Sequence, residues 1–410
     1  MSDKENTMNW KKTVVFLLVL FLAFYCRAKA NPIDLDRLTH ELQVQLDKLT
    51  EPEELPGATL AVVLAEGQEI CLASGLADLE KKRKMAPADR MFSGSIGKTY
   101  VAAVILQLAE ENKLHIDDPV KPYFKGEQWY SQLPNGEELT LRMLLNHTAG
   151  IPEYAAKAAL WAEIKKFPDK TWQPLDRLNY ILGDKPMNAP GQAWNYADTH
   201  YIILGMIIEK IAGDTYYNEL DKRILKPLKL IRTTPADKRE LEGLVPGYAR
   251  LGAPFFISGK VVADNGQYIF NPQLEWTGGG LVTTSRELAW WARFLYEAKA
   301  FSPDSLQKML TTVDSGEGFQ YGLGVFVWKS DFGISYGHSG FVPGYNSIME
   351  YVPEYRFSVA LQFNCDNVTK LLKKNRHDNA AEFIRVVINY LKQQPSSLAG
   401  VSEGALRAYH

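Results

Sequence analysis

The chain has 410 residues, of which 46% are hydrophobic and 23% are charged, an ordinary composition for a globular protein. The 46 basic residues nearly balance the 48 acidic ones, and the net charge of −2 gives no reason to expect nucleic acid as a partner. The length predicts two lobes, since a domain usually contains about 100–200 residues.

The first 30 residues have the layout of a secretory signal peptide. Lys11 and Lys12 precede an apolar run over residues 14–25, and the small-residue motif Ala28-Lys29-Ala30 follows it. The apolar run is shorter than the roughly 20 residues that span a bilayer. We therefore expect cleavage after Ala30 and export to the periplasm or the medium. An uncleaved N-terminal anchor, which would bring membrane contact, is the alternative.

The elements of the N-terminal part follow from apolar periodicity. Leucines spaced three or four apart predict a helix over 35–49, and two apolar segments joined by a turn predict strands over 58–65 and 69–74. A segment that is apolar almost all round follows Ser95 and predicts a buried helix that ends near Lys113.

The pattern of predicted elements changes between residues 117 and 276. Helical patterns, including 140–145 and 201–211, alternate there with loops rich in proline, glycine and aromatic residues, which favours a mostly helical inserted lobe. Further elements are predicted after residue 277: a helix over 286–298, strands at 324–328, 335–340, 347–352 and 357–363, and a closing helix over 379–392.

These elements predict an α+β protein in which an antiparallel sheet is flanked by helices and carries a helical inserted lobe. The predicted division is a signal peptide over 1–30, an α/β lobe built from 31–116 and 277–393, the inserted lobe over 117–276, and a loose C-terminal tail over 394–410.

Ser95 and Lys98 stand at the start of the buried helix, three residues apart. This spacing puts both side chains on one helical face, so that the lysine amine can reach the serine hydroxyl. A serine hydroxyl is a weak nucleophile that needs a neighbouring base, and lysine can serve as that base. A Ser-x-x-Lys motif by itself is common. The alternative to a catalytic pair is a serine near the start of a helix, with a solvated lysine one turn later.

Cysteine and histidine content favours neither a disulfide scaffold nor a metal site. After signal cleavage the chain keeps Cys71 and Cys365, which we expect to be unpaired and buried. The seven histidines show no paired ligand spacing, so we expect no metal and no other cofactor.

Further motifs follow Ser95 and Lys98 in chain order. They are Leu144-Leu145-Asn146-His147-Thr148-Ala149-Gly150, Asn195-Tyr196-Ala197-Asp198, Gly278-Gly279-Gly280-Leu281 and Tyr336-Gly337-His338-Ser339-Gly340. In this order the set resembles the serine β-lactamase-like, penicillin-recognising hydrolases, which include class C β-lactamases, D,D-carboxypeptidases, D-aminopeptidases and esterases. The resemblance covers about 55–391 and implies the β-lactamase/transpeptidase fold.

The resemblance also implies roles for single residues. Ser95 would be the nucleophile, Lys98 its proton acceptor, and Tyr196 the tyrosine that passes a proton to the leaving group. His338-Ser339-Gly340 matches the strand triplet of the family, and the N–H groups of Ser95 and Phe341 would form the oxyanion hole. Asp198, His338, Gly340 and Phe341 are therefore candidate substrate-binding residues. The stretches 144–150 and 278–280 are interpreted as structural, the first as a helix end with its loop and the second as a backbone turn.

The sequence departs from the family pattern at two positions. Asp198 stands where the third motif position is usually Asn, and an ionised carboxylate only accepts hydrogen bonds. It would also favour the charged form of Lys98, so that Lys98 and Tyr196 both remain candidates for the base. His338 replaces the lysine typical of β-lactamases, which makes a dedicated β-lactamase a poor fit.

The function predicted from these residues is an exported serine hydrolase that acts through a Ser95 acyl-enzyme. Its substrate would be a small D-amino-acid peptide, as for a D,D-carboxypeptidase, or a small ester, and β-lactams would form a covalent adduct with it. The alternative is a non-catalytic or weakly active penicillin-binding or sensor-like homologue, because Asp198 departs from the motif.

Overall fold

The computed structural model of the protein describes residues 35–51 and 55–394. The predicted signal peptide and nearly all of the predicted C-terminal tail lie outside these residues. Within the described part of the chain, no helix is both long enough and apolar enough to cross a membrane.

A large antiparallel sheet forms the centre of the fold. Its nine strands lie in the order β3-β2-β1-β14-β13-β12-β11-β10-β9. The strands are β1 (Gly57–Val63), β2 (Glu69–Asp78), β3 (Arg83–Lys84), β9 (Val313–Asp314), β10 (Gln320–Tyr321), β11 (Phe326–Ser330), β12 (Gly333–Val342), β13 (Tyr345–Val352) and β14 (Phe357–Phe363). Two smaller sheets, β4-β8-β5 and β6-β7, contain β4 (Met91–Phe92), β5 (Thr234–Pro235), β6 (Tyr248–Leu251), β7 (Ile257–Lys260) and β8 (Leu281–Thr283).

Twelve α-helices are found in the described residues. They are α1 (Leu35–Leu49), α2 (Gly97–Glu110), α3 (Leu141–Leu145), α4 (Ala158–Lys166), α5 (Pro174–Leu178), α6 (Asp198–Ala212), α7 (Tyr216–Leu220), α8 (Trp276–Gly279), α9 (Ser285–Tyr296), α10 (Pro303–Met309), α11 (Val368–Leu372) and α12 (Arg376–Lys392). This mixture of helices with an antiparallel sheet confirms the predicted α+β fold.

Helices cover both faces of the large sheet. The amphipathic helices α1 and α12 pack together on one face, where their apolar stripes meet Leu60, Val359 and Leu361. Helix α9 packs against β1, β13 and β14 on the opposite face. Burial from both sides explains why β1, β13 and β14 are buried along their whole length.

Helix α2 is buried from Gly97 to Leu106, as its apolar sequence predicts. It lies between the sheet side of the molecule and the helical region, where it contacts α6, α7 and α8. A helix with this all-round apolar surface is fixed in position by its neighbours. The residues at its N-terminal end are therefore held on a rigid element.

Several predicted bounds are wrong by a few residues. The second strand continues to Asp78, because β3 pairs with its end, and α2 ends at Glu110, before the predicted end near Lys113. The closing helix begins at Arg376, capped by the Asn375 side chain. The stretch 278–280 was predicted as a turn, but Gly278 and Gly279 belong to the short helix α8.

The inserted region is mostly helical but also contributes short strands. Strand β5 pairs with β8 of the predicted α/β lobe, which ties the two parts together. The lobe boundaries at residues 117 and 276 stay a prediction. Cys71 and Cys365 are both free, as expected, although Cys71 is only partly buried.

Candidate active site

Ser95 lies in a single 3-10 turn, Gly94–Ile96, that leads directly into α2. The turn is wedged between two glycine backbones. A Cβ on Gly279 would lie 2.8 Å from the Ser95 nitrogen, and a Cβ on Gly340 would lie 1.9 Å from the Ser93 carbonyl oxygen. Only residues without a side chain allow this approach, so the glycines fix the position of the serine.

Lys98 is fully buried beneath Ser95, one helical turn further along the chain. Its Nζ donates to Ser95 Oγ at 3.0 Å, to Asp198 Oδ1 at 2.5 Å and to the Gly278 carbonyl at 2.5 Å. An ammonium group has three N–H donors, and each of them has an acceptor here. This geometry fits the charged form of Lys98.

The electrostatic environment of Lys98 agrees with its hydrogen bonds. Burial by itself lowers the pKa of the Lys98 amine, but the Asp198 carboxylate and Tyr196 outweigh burial, and the pKa is raised above its usual value. The rings of Tyr196 and Tyr201 also face the ammonium, with their centroids 5.0 and 5.5 Å from Nζ. Lys98 could act as a base only after it had lost the proton that Asp198 and Tyr196 stabilise.

The residues before and after Tyr196 in the chain are both hydrogen-bonded to His147. The Asn195 N–H donates to the His147 carbonyl at 2.7 Å, and the Ala197 N–H donates to His147 Nδ1 at 3.3 Å. Because His147 Nδ1 accepts that bond, the Nδ1 of His200, 2.9 Å away, must be the donor of the pair. The rings of His147 and Tyr196 lie 4.2 Å apart.

The histidines near Tyr196 are buried and neutral. Burial, with His200 and Lys98 as further causes, lowers the pKa of His147 well below its usual value. Burial and Lys98 lower the pKa of His200 to about 3. His147 also has a left-handed backbone with φ of 62°, which is rare for a residue other than glycine. The stretch around His147, interpreted from sequence as structural, therefore positions Tyr196.

The Tyr196 hydroxyl is in its protonated form in this site. Burial raises the pKa of Tyr196 to about 12, while the neighbouring Lys98 ammonium and Ser95 hydroxyl oppose that rise. A protonated phenol beside the nucleophile is suited to donate its proton. It could accept one only after Lys98 had stabilised the phenolate.

Asp198 begins α6, and two further carboxyl groups lie close to it. Its N–H donates to the Glu153 carboxylate, whose other oxygen accepts from Ala155 N–H at 2.6 Å. Burial and the Asp198 charge raise the pKa of Glu153 to about 8. The same two causes raise the pKa of Glu275 to about 8, with Lys98 and Arg177 opposing them. Lys98 thus faces an acidic cluster rather than a single carboxylate.

His338 lies on β12, where the side chain is buried and neutral. Burial and Lys98 lower the pKa of His338 to about 3, and the Nε2 atom lies 3.0 Å from the Tyr321 hydroxyl. A neutral imidazole cannot provide the positive charge that the lysine of β-lactamases carries at the matching position.

Phe341 lies in the part of β12 that has no strand partner on its outer side. Pairing with β11 ends at Gly337, whereas pairing with β13 continues to Val342, next to the turn at Pro343-Gly344. The residues that flank a two-residue turn form a hydrogen-bonded pair, and alternation then directs the Phe341 N–H away from β13. A Cβ on Gly94 would lie 2.4 Å from this nitrogen, so the N–H is next to the Ser95 turn.

A pocket of about 610 Å³ opens above these groups. The predicted residues that line it are Ser95, Tyr196, Asp198, His338, Gly340 and Phe341. Lys98 is the predicted residue that lies beneath the pocket. The structure thus brings all the predicted site residues together. A larger pocket of about 750 Å³ near Trp276 contains neither serine nor cysteine, and we place the chemistry at Ser95.

Sequence analysis missed the residues that support the site from distant segments. They are Glu153, His200, Glu275, Tyr321 and Arg376. No local spacing links them to Ser95 or Lys98, and only the packing of α6, α8, β10 and α12 brings them near. His200 could have been noticed, because it follows the Asn195-Tyr196-Ala197-Asp198 motif closely.

A match to a known family over most of the chain identifies the family of the protein. Residues 46–382 match the Beta-lactamase family. The protein belongs to this family of serine hydrolases.

Similar proteins with known structures include a D-stereospecific amidohydrolase and a D-amino acid amidase. A D-stereospecific amidohydrolase from Streptomyces sp. is 29% identical, with 80% of this chain and 94% of that chain covered and a TM-score of 0.70. The D-amino acid amidase of Ochrobactrum anthropi SV3 shares the fold with a TM-score of 0.72 at 22% identity, over 86% of this chain and 99% of that chain.

Curated relatives include a protein named for penicillin binding. The putative penicillin-binding protein PbpX of Bacillus subtilis (strain 168) is 27% identical over 302 residues, which are 73% of this chain and 68% of PbpX. Protein flp of Staphylococcus aureus (strain N315) is 24% identical over 359 residues, which cover 82% of this chain. The chain spans only 66% of the length of flp.

Proposed function

We propose that the protein hydrolyses small D-amino-acid peptides, as a D,D-carboxypeptidase does, or small esters, through an acyl-enzyme on Ser95. The observation that carries this proposal is the 3.0 Å contact between Lys98 Nζ and Ser95 Oγ at the start of a rigid, buried helix. A serine held against a buried lysine and beside a protonated tyrosine has the partners that acyl transfer requires.

In the proposed reaction, Ser95 Oγ attacks the substrate carbonyl carbon and its proton passes to the Lys98–Tyr196 pair. The negative charge that develops on the carbonyl oxygen would be stabilised by the N–H groups of Ser95 and Phe341. Tyr196 would then protonate the leaving group as the bond to it breaks. Water attacks the resulting ester by the same route in reverse and releases Ser95.

The Lys98 proton is the main obstacle in this scheme. The ammonium must lose its proton before or during the attack, and the contact with Asp198 Oδ1 at 2.5 Å stabilises the charged form of the lysine. Burial and the Asp198 charge raise the pKa of the neighbouring Glu153 and Glu275 to about 8, so these two carboxyl groups hold their protons at neutral pH.

The names of similar proteins support a D-configured substrate. The Streptomyces neighbour is named a D-stereospecific amidohydrolase. PbpX is named a putative penicillin-binding protein, which supports a reaction with β-lactams. Penicillins react with serine enzymes through the same type of acyl-enzyme, so covalent labelling by β-lactams is part of the proposal.

A second candidate function is a non-catalytic penicillin-binding or sensor-like protein. The Lys98–Asp198 ion pair favours this candidate, because it stabilises the protonated lysine. Such a protein could acylate slowly and then fail to release the product. Both candidate functions predict covalent labelling of Ser95, but only the hydrolase predicts repeated turnover of a substrate.

Intact mass measurement tests the proposal. The protein is treated with a fluorophosphonate and, separately, with a penicillin, and hydrolysis of an aryl ester is followed in parallel. We expect one covalent adduct on Ser95 from each reagent, with ester turnover. Ser95→Ala should lose labelling and turnover while keeping its fold, whereas Ser339→Ala, a serine in the same pocket, should still be labelled.

Two outcomes separate the candidates. Labelling without turnover supports the sensor-like protein. Ester hydrolysis that survives in Ser95→Ala shows that the nucleophile is a different residue.

Export remains a separate proposal that rests on residues 11–30 alone. N-terminal sequencing of protein recovered outside the cytoplasm should begin at Asn31. A sequence that begins at Met1 or Cys26 supports an anchored form instead.

A further inference from the structure

A second pocket is larger than the one that contains Ser95. Its volume of about 750 Å³ is within the range of about 300–1,000 Å³ that is typical of small-molecule sites. It lies where α6, α7, α8 and β5 meet, and none of the predicted site residues lines it. The proposed reaction therefore leaves this pocket without a role.

Trp276, the first residue of α8, presents an unpaired hydrogen-bond donor to the second pocket. The residue is only 6% exposed, and its indole N–H donates to no acceptor among residues 35–51 and 55–394. The nitrogen is not completely enclosed, and because Trp276 lines the pocket, the N–H opens into that space. An indole nitrogen can only donate, so it needs an acceptor that a bound ligand would supply.

Glu209 stands beside the Trp276 ring. Gly205 and Glu209 are four residues apart on α6, and side chains at this spacing lie on one helical face. A Cβ on Gly205 would lie 2.7 Å from Cη2 of Trp276, so the ring packs against this face. A helical side chain also leans toward the N-terminus of its helix, which brings the Glu209 carboxylate toward the ring. The two groups are therefore neighbours in the wall of the pocket.

The Glu209 carboxylate has no cationic partner. Its Oε1 accepts from the Tyr216 N–H at 3.0 Å, and it makes no ion pair in the described part of the chain. Burial raises the pKa of Glu209, the Tyr216 N–H opposes that rise, and the Asp214 charge adds to it. A partly buried carboxylate of this kind is stabilised by a cation that binds next to it.

The charge of the second pocket disfavours an anionic ligand. Acidic residues outnumber basic ones in its lining, and the Lys226 ammonium is paired with Asp221 at 2.6 Å. An ammonium group complements this lining, because it pairs with Glu209 and because aromatic rings attract cations. A carbonyl oxygen next to the ammonium would supply the acceptor that the Trp276 N–H lacks.

We propose that this pocket is a second binding site, which holds the amino terminus of a short peptide. The peptide ammonium binds the Glu209 carboxylate, and the first carbonyl oxygen accepts from the Trp276 N–H. A free amino acid fits less well, because the acidic lining repels its carboxylate, and the volume leaves room for more than one residue. This inference does not depend on the chemistry at Ser95.

The indole N–H resonances in a ¹H–¹⁵N NMR spectrum test the proposal. The chain has nine tryptophans, and Trp276→Phe identifies the Trp276 resonance by its loss. The probe is glycylglycinamide, and its N-acetyl derivative, which lacks the ammonium, is the matched control. We expect the Trp276 resonance of the parent protein to shift saturably with glycylglycinamide and to stay in place with the N-acetyl derivative.

Variants of Glu209 test which carboxylate binds the ammonium. Glu209→Gln should raise the dissociation constant of glycylglycinamide by about tenfold or more, the loss of a charge-assisted hydrogen bond. Glu209→Asp keeps the charge on a shorter side chain and should recover part of the affinity. Glu317→Gln is the control, since Glu317 is an exposed carboxylate that lines the Ser95 pocket, and it should keep the parental dissociation constant.

An unmoved Trp276 resonance, or an equal shift with the N-acetyl derivative, overturns the inference. A dissociation constant that rises in Glu317→Gln but not in Glu209→Gln places the peptide in the Ser95 pocket instead. Circular dichroism melts check the fold of each variant, and the comparison of the two probes on the parent protein decides without any variant of Glu209. Fluorophosphonate labelling of Ser95 is measured separately, and its absence contradicts the proposed function without affecting this inference.

Discussion

Lys98 Nζ and Asp198 Oδ1 lie 2.5 Å apart, with the lysine fully buried and the aspartate partly exposed at the base of the pocket. The contact joins the first turn of α2 to the first residue of α6. It stabilises the ammonium form of the residue that stands beside the nucleophile. The activity of the protein therefore depends on how this pair gives up its proton.

The first prediction concerns Asp198→Asn. Removing an opposite charge within about 4–6 Å lowers a lysine pKa by roughly 1–3 units, which increases the neutral amine by tenfold or more. The new amide also donates to a substrate carbonyl. We expect acylation by a chromogenic cephalosporin to become about ten times faster or more, while an aryl ester changes little or slows down.

Stopped-flow acylation rates check this prediction, with Asp237→Asn as the control, since Asp237 is exposed and does not line the Ser95 pocket. Slower acylation with both reagents would give Asp198 a positive role, as a proton acceptor or as a binding group for a substrate amine.

The second prediction concerns Tyr196→Phe. A proton donor matters most when the leaving group is a strong base, as an amine is, and least for a phenolate. Loss of a positioned acid typically costs about 10²–10⁴ in rate. We expect peptide hydrolysis to fall by about that factor and aryl ester hydrolysis to fall much less.

Steady-state kcat values on both substrates measure the difference. Tyr154→Phe is the control, because it removes another buried tyrosine hydroxyl that bonds the Leu274 carbonyl outside the pocket. An equal loss on the peptide and the ester in Tyr196→Phe contradicts a role in leaving-group protonation.

The third prediction concerns the close approach of backbones around Ser95. In Gly340→Ala the new Cβ would lie 1.9 Å from the Ser93 carbonyl oxygen, a backbone atom that cannot move freely. Such overpacking costs about 1–3 kcal/mol or more and displaces the Ser95 turn. We expect a lower urea midpoint and slower labelling of Ser95.

Gly252→Ala is the matched control, since an added Cβ at Gly252 meets no atom within 4 Å and its backbone is not left-handed. Its urea midpoint should equal that of the parent. A Gly340→Ala protein of parental stability and labelling rate would show that the turn does not need the glycine.

The fourth prediction concerns the pH dependence of stability through His377. Burial lowers the pKa of His377, but Glu350 outweighs burial with a hydrogen bond and its charge, and the pKa is raised above the usual value. A raised histidine pKa gives stability that is complete below the unfolded pKa of about 6.5 and is lost as pH rises through the folded pKa.

Melting temperatures of the parent and His377→Gln should therefore differ most at or below about pH 6 and converge as the pH rises. Asp378 and Arg385 also act on His377, with opposite signs, and they are present in both proteins. A difference that is constant or grows with pH contradicts a charged His377–Glu350 pair.

Local patterns of the sequence determined the elements and the central motif. Ser95 and Lys98 are one helical turn apart and an apolar helix follows them, so their proximity could be predicted from the local sequence. In the structure Lys98 Nζ lies 3.0 Å from Ser95 Oγ. The alternation and apolar runs of the strands likewise predicted the antiparallel sheet, because strand formation depends on local residue types. The order of the motifs indicated the family.

Only the tertiary structure decided the electrostatics of the site. The pKa values of Glu153 and Glu275 are raised because packing buries them beside Asp198, and no spacing in the chain predicts that contact. Arg376 is 281 residues from Ser95 in the numbering, yet both line one pocket, because β13 and α12 pack against each other. Burial and charge proximity depend on the whole fold, so the protonation states of the site and the position of Arg376 in the pocket follow from packing rather than from sequence pattern.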